Sequence, residues 1–115
     1  MAQTQVFRGV QTQVTRGPNR IFGNYRGTVV AEAERIDIAP HRARITLNTG
    51  GWKTNTTKTR MNQFAAQFCH YQYGVYQKKG EWFVAIKDMP NPIPFVGNSV
   101  VFNIDASKVD FAKGE

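Results

Sequence analysis

The chain has 115 residues, of which 41% are hydrophobic and 20% are charged, and its formal net charge is +7. This length suits one domain that buries its own core, and the 8 Phe, 4 Tyr and 2 Trp exclude a disordered composition. The single cysteine, Cys69, excludes an intrachain disulfide, and no apolar run approaches the roughly 20 residues that a membrane span needs.

The positive charge is concentrated in the first half of the chain. Residues 1–60 hold 10 Lys/Arg against 3 Asp/Glu, whereas residues 61–115 hold 5 of each. This asymmetry indicates a polyanionic partner, although a basic surface without any partner gives the same composition.

Residues 1–27 differ from the rest of the chain. They repeat Gln-Thr-Gln-Val with a period of eight, contain three Arg-Gly pairs and have no acidic residue. We expect a basic N-terminal arm here, followed by a core domain over residues 28–115; an edge strand is the alternative. As a mobile, sequence-neutral arm, these residues would offer four arginines to phosphates: Arg8, Arg16, Arg20 and Arg26.

The central part of the chain predicts two strands and a helix. Residues 27–38 read as a strand, and residues 42–48 alternate between an apolar face and a polar, cationic face. Gly50 and Gly51 then break the strand, and several Thr and Asn residues that follow can cap a helix running to about Cys69. Apolar residues recur on one face of this helix, whereas Lys58, Asn62 and Gln63 are expected to lie away from the core.

The last part predicts a second hairpin over residues 73–79 and 81–87, with Trp82 in the core of a central strand. A proline-rich connection over residues 89–94 is expected not to continue the sheet, and residues 99–105 read as a final strand. The predicted fold class is therefore α+β: a small single domain with one main helix packed on a mainly antiparallel sheet of about five strands. Three tyrosines on the sheet could form a stacking surface: Tyr71, Tyr73 and Tyr76.

The start of the predicted helix is hydroxyl-rich and cationic where a helix dipole favours Asp or Glu. This arrangement suits an external phosphate. We expect phosphate contacts from Arg42, Arg44, Lys53, Lys58 and Arg60. Thr54, Thr56 and Thr57 would fix the register of the ligand. Trp52 would stack against a base or sugar, with core packing as an equal alternative.

Catalytic and metal-binding patterns are missing from the sequence. His41 and His70 show no zinc-ligand spacing, Cys69 lies on the apolar face of the helix, and Glu32 and Glu34 are expected to balance nearby arginines rather than bind a metal. Gly50-Gly51 lacks the spacing of a nucleotide-binding loop. We therefore expect no enzyme, no metal site and no cofactor.

Three segments together resemble a small domain family of unknown function that bacteriophages encode. They are residues 45–63 (ITLNTGGWKTNTTKTRMNQ), residues 75–84 (VYQKKGEWFV) and residues 93–95 (IPF). The resemblance covers roughly residues 25–105, and the first 25 residues depart from it. It implies a phage or prophage protein that acts in the host bacterial cytoplasm or the virion, without assigning an activity.

Two functions fit these observations. The first is a phage-encoded, non-enzymatic protein that binds DNA or RNA through the basic strand and the helix start. The second is a phage protein that binds and inhibits a host protein or defence complex, or a small virion component. Both use the same positive face.

Overall fold

The computed structural model describes residues 12–37, 41–51 and 53–112. These residues form eight strands, one α-helix and one short 3₁₀ turn, Ala106–Lys108. In chain order the elements are β1 Thr12–Arg16, β2 Arg20–Tyr25, β3 Thr28–Asp37, β4 Arg42–Asn48, α1 Asn55–Phe68, β5 Tyr73–Lys78, β6 Glu81–Ile86, β7 Ile93–Pro94 and β8 Ser99–Asp105.

The strands form two antiparallel sheets. The larger sheet has the order β1-β2-β3-β4-β8, and the smaller has the order β5-β6-β7. The predicted α+β class is confirmed, with two sheets where the sequence predicts one. The sequence could not show this division because strand pairing depends on contacts between distant segments.

The core lies between the inner face of the larger sheet, the helix and the smaller sheet. On β3 and β4 this face carries Ala31, Ala33 and Ala43 beside Ile45 and Leu47, all fully buried. The alanines leave room for the large apolar side chains of α1, which packs against β2, β3 and β5. The helix contributes these buried apolar residues: Met61, Phe64, Ala65 and Phe68.

Two polar residues of α1 that were expected to lie away from the core are instead part of its packing. The side-chain amide of Asn62 donates to the carbonyl of Val75 (2.9 Å) and accepts from the amide of Val75 (2.7 Å). Gln63 is buried. A helix that meets two sheets buries more of its circumference than one apolar stripe predicts, so these side chains pair with protein groups.

Residues 12–27 belong to the larger sheet, which corrects the expectation of an arm for this described part. β1 is an edge strand, which was the alternative prediction for this segment. β2 pairs with both β1 and β3. Ile21 of β2 is fully buried, so β2 cannot leave the sheet without exposing it. The expected boundary after Gly27 falls at the end of the two-residue turn that joins β2 to β3.

The proline-rich connection contains β7, although we expected no strand there. Pro94 lies opposite Phe83 and Ile93 lies opposite Val84. The amide of Phe95, rather than that of Pro94, donates to the carbonyl of Trp82 (2.9 Å). A proline is tolerated because β7 is a short edge strand. β6 is therefore the central strand of its sheet, as predicted.

Candidate nucleic-acid interface

The N-terminus of α1 is capped by threonine side chains. Thr54 caps α1, and its Oγ1 accepts from the amide of Thr57 (3.2 Å). The two hydroxyls lie 3.1 Å apart, and the Thr57 side chain is fully buried. These two threonines therefore build the helix end, whereas Thr56 is exposed beside it. The first turn has no acidic residue, so no helix carboxylate there offsets the positive end of the dipole.

Two lysines converge on the buried indole of Trp82. The Nζ of Lys53 lies 5.7 Å from the centre of this ring and donates to the carbonyl of Phe95 (3.0 Å). The Nζ of Lys58 also lies 5.7 Å from the Trp82 ring, and it contacts the Oε1 of Gln77 (3.3 Å). Both ammonium groups are thus oriented by neutral acceptors and by an aromatic face.

A second pair of cations meets at the ring of Tyr25 in β2. The guanidinium carbon of Arg60 lies 5.5 Å from the centre of the Tyr25 ring, and that of Arg26 lies 5.7 Å from it. Arg60 also donates to the Oε1 of Gln63 (3.2 Å), and its Nε is buried without a protein partner. Arg26 occupies the β2–β3 turn with a φ of 54°. We call Lys53, Lys58, Arg60 and Arg26 the helix-start surface.

The basic face of the large sheet differs from the helix-start surface, because carboxylates occupy its centre. Glu34 accepts from Arg44 through Oε1 and from Arg20 through Oε2, each at 2.6 Å. These hydrogen bonds, that of Arg44 first, hold the pKa of Glu34 below its ordinary value. Arg20 also lies 3.3 Å from Glu32. Two arginines and two glutamates therefore neutralise each other, as expected for these glutamates.

The remaining predicted contacts are dispersed. Arg42 is exposed at the start of β4. Arg16 lies 3.9 Å from Asp110, on the inner-face register of β1. The predicted roles of Arg8 and Trp52 fall outside the described residues. The structure therefore brings Arg26 together with Arg60 at Tyr25, whereas Arg16, Arg20 and Arg44 lie against carboxylates of other elements.

The predicted tyrosine surface is only partly present. Tyr73 is buried, and its hydroxyl donates to the carbonyl of Met61 (3.2 Å); burial raises its pKa well above the ordinary value. Tyr76 is exposed and stacks on Phe83, with ring centres 5.6 Å apart and planes 25° apart. Sequence reasoning missed Phe83; its position opposite Tyr76 in the predicted hairpin was the available signal.

Two observations on the described residues concern catalytic and metal chemistry. Cys69 is buried, and desolvation raises its pKa to about 12, so its thiol stays protonated at neutral pH. Residues 12–37, 41–51 and 53–112 contain no group of three or more His, Cys, Asp or Glu side chains that could hold a metal. Nor does this part contain a helix long and apolar enough to cross a membrane.

The fold is that of a small α+β protein, in which four basic side chains lie against aromatic rings: Lys53, Lys58, Arg60 and Arg26. A model of the Kyanoviridae Gp96 protein family matches residues 1–103, and the chain belongs to this family of phage proteins. The match includes the first 25 residues, which were expected to depart from the family pattern. Searches of curated proteins and of solved structures found no match.

Proposed function

We propose that this phage protein is a non-enzymatic nucleic-acid-binding protein whose helix-start surface contacts phosphates. The proposal rests on what the four cations of this surface contact. Across the described ranges, none of Lys53, Lys58 and Arg60 has a carboxylate within 4.0 Å, and Arg26 has none either. The four side chains lie instead against aromatic rings.

Cations that contact aromatic rings rather than carboxylates suit a polyanionic ligand. A guanidinium held by a carboxylate must break that ion pair before it binds a phosphate, whereas one held over a ring keeps its charge available. The nearby helix end adds partial positive charge, since its first turn carries no acid. The helix start is therefore the better phosphate surface, and the Arg20–Glu34–Arg44 cluster on the sheet is the weaker one.

The binding is expected to be electrostatic and to carry little sequence preference, because phosphate contacts position a protein without reading bases. A protein with this role would act in the host bacterial cytoplasm, where phage DNA and RNA are accessible, or within the virion. An acidic host protein would meet the same charges, so it is the competing partner in any test.

The test is a fluorescence-anisotropy titration of the wild-type chain with labelled single- and double-stranded oligonucleotides over a range of salt concentrations. We expect binding at low salt that weakens linearly in log–log form as salt is added. Salt-independent binding, or no binding at low salt, would refute the proposal. A stoichiometric protein retained from nuclease-treated host lysate would then favour the host-protein role.

A further inference from the structure

The small sheet has a face that no described element covers. Along β5 and β6 burial alternates: Tyr73, Val75, Trp82 and Val84 are buried, whereas the residues between them are partly or fully exposed. On this outer face Tyr76 lies opposite Phe83, and Phe83 lies opposite Pro94 of β7. The three rings form one row across the sheet.

The aromatic rings of this row are arranged so that nucleic-acid bases can stack on them. Tyr76 is 37% exposed, and its ring is nearly parallel to that of Phe83. A flat aromatic ring on an open sheet offers its face to any base, since every base has a π-face of its own. A purely structural pair needs no such exposure.

Positive charges lie beside this row, at the turn that joins β5 to β6. Lys78 is exposed two residues beyond Tyr76 on the same strand face, and Lys79 lies in the adjoining turn with a φ of 52°. Beside the same turn, an open cleft of about 290 Å³ lies between Gly80, Pro94 and Lys53 of the helix-start surface. Glu81 also lines this cleft and lies opposite Lys78 in the strand register; among the described lining residues it is the one acid.

We propose that the outer face of the small sheet is a base-stacking platform for single-stranded nucleic acid, with Tyr76 and Phe83 as the stacking residues. The inference rests on the proposed function and specifies its ligand. Phosphates follow the cations from Lys78 and Lys79 to Lys53, while bases lie on the two rings. Duplex DNA cannot use the platform, because its bases are already stacked on each other.

The test separates base contacts from phosphate contacts. Anisotropy titrations compare a labelled oligothymidine with an abasic oligonucleotide of the same length and charge, for wild type, Tyr76→Ala and Tyr76→Phe. Wild type is expected to prefer the oligothymidine. Tyr76→Ala should lose roughly 5- to 100-fold in affinity for oligothymidine and little for the abasic strand, whereas Tyr76→Phe should retain the wild-type preference.

Two further variants sharpen the result. Phe83→Leu keeps an apolar side chain at the second position and should also reduce the preference for bases. Glu81→Gln should tighten binding of both strands, since it removes a carboxylate beside the phosphate path. Thermal unfolding monitored by circular dichroism verifies that each variant is folded, and oligouridine in parallel shows whether RNA or DNA binds more tightly.

The outcomes distinguish the platform from the proposed function. Binding of both strands with equal affinity, or a base preference that Tyr76→Ala retains, overturns the platform and leaves the phosphate surface intact. A wild-type chain that binds neither strand at low salt overturns both.

Discussion

Replacing the two lysines that converge on Trp82 should reduce the salt dependence of nucleic-acid binding. In the Lys53→Gln/Lys58→Gln variant, two of the four helix-start cations are removed and most of each side-chain stem is kept. Each neutralised phosphate contributes about 0.9 to the log–log salt slope for duplex DNA and about 0.7 for single strands. The slope should therefore become shallower by about 1.4 to 1.8.

The size of this effect can be measured directly. If all four cations contact phosphates, raising salt from about 50 to 200 mM should weaken duplex binding by the wild type about 100-fold. The double variant should lose only about 10-fold over the same range. The assay is fluorescence anisotropy with a labelled duplex, repeated with a single strand.

A control variant with the same change in net charge excludes a general charge effect. Lys87 and Lys108 line a different groove, together with Asp88 and Asp105. Lys87→Gln/Lys108→Gln should keep the wild-type slope. Loss of the cation–π contacts should cost Lys53→Gln/Lys58→Gln about 1 kcal/mol of stability, which thermal unfolding can verify. Equal slopes for the wild type and both variants would refute this reasoning.

Three further predictions concern the helix cap, the glycines before the helix and the ion pairs of the large sheet. Thr54→Ala removes the helix cap and should lower the free energy of unfolding by about 1 kcal/mol in urea denaturation, with Thr54→Ser close to wild type; an equal loss in both would contradict a capping role. Gly50→Ala should lower the melting temperature more than Gly51→Ala. Both positions have positive φ, but only at Gly50 would a Cβ lie 2.6 Å from the hydroxyl of a threonine in β3. Equal melting temperatures for the two variants would rule out that clash. Glu34 has a lowered pKa, so its ion pairs should stabilise the fold above its ordinary pKa of 4.5 and lose this effect as pH falls through the lower folded value. Glu34→Gln should therefore reduce, by under about 1 kcal/mol, the loss of stability between neutral pH and about pH 3; an unchanged acid profile would be inconsistent with the pairs to Arg44.

Local patterns in the sequence predicted much of the fold. The alternation over residues 42–48 matches the bounds of β4, and the run over residues 99–105 matches β8. The helix begins at Asn55 with Thr54 as its cap, within the predicted group of capping residues. These features depend on neighbours in the chain, so the chain itself carries the information.

Features that depend on distant contacts were harder to predict. The sequence does not indicate that Tyr25 contacts both Arg26 and Arg60, because a turn and a helix more than thirty residues apart supply the two arginines. It predicted cations on β4 but not that Arg20, from β2, would share Glu34 with Arg44. The surface charge that remains available therefore depends on cross-strand register.

Contacts between distant segments also explain why β2 and β7 differ from what the sequence predicted. β7 has only two residues, one of them a proline, so no periodicity marks it. Residues 12–25 have the arginine and glycine content of a flexible arm, yet Ile21 fixes β2 in the sheet. One buried side chain outweighs composition here, because its burial requires paired strands around it.

The most direct test of the central claim is an NMR titration that maps the bound surface. Amide resonances of the ¹⁵N-labelled chain are followed while a single-stranded oligonucleotide is added at low salt. We predict shifts at residues 53–60, at Arg26 and along residues 76–83, with much smaller changes on the outer face of β4 around Arg44. An unchanged spectrum, or shifts confined to the β4 face, would contradict the account.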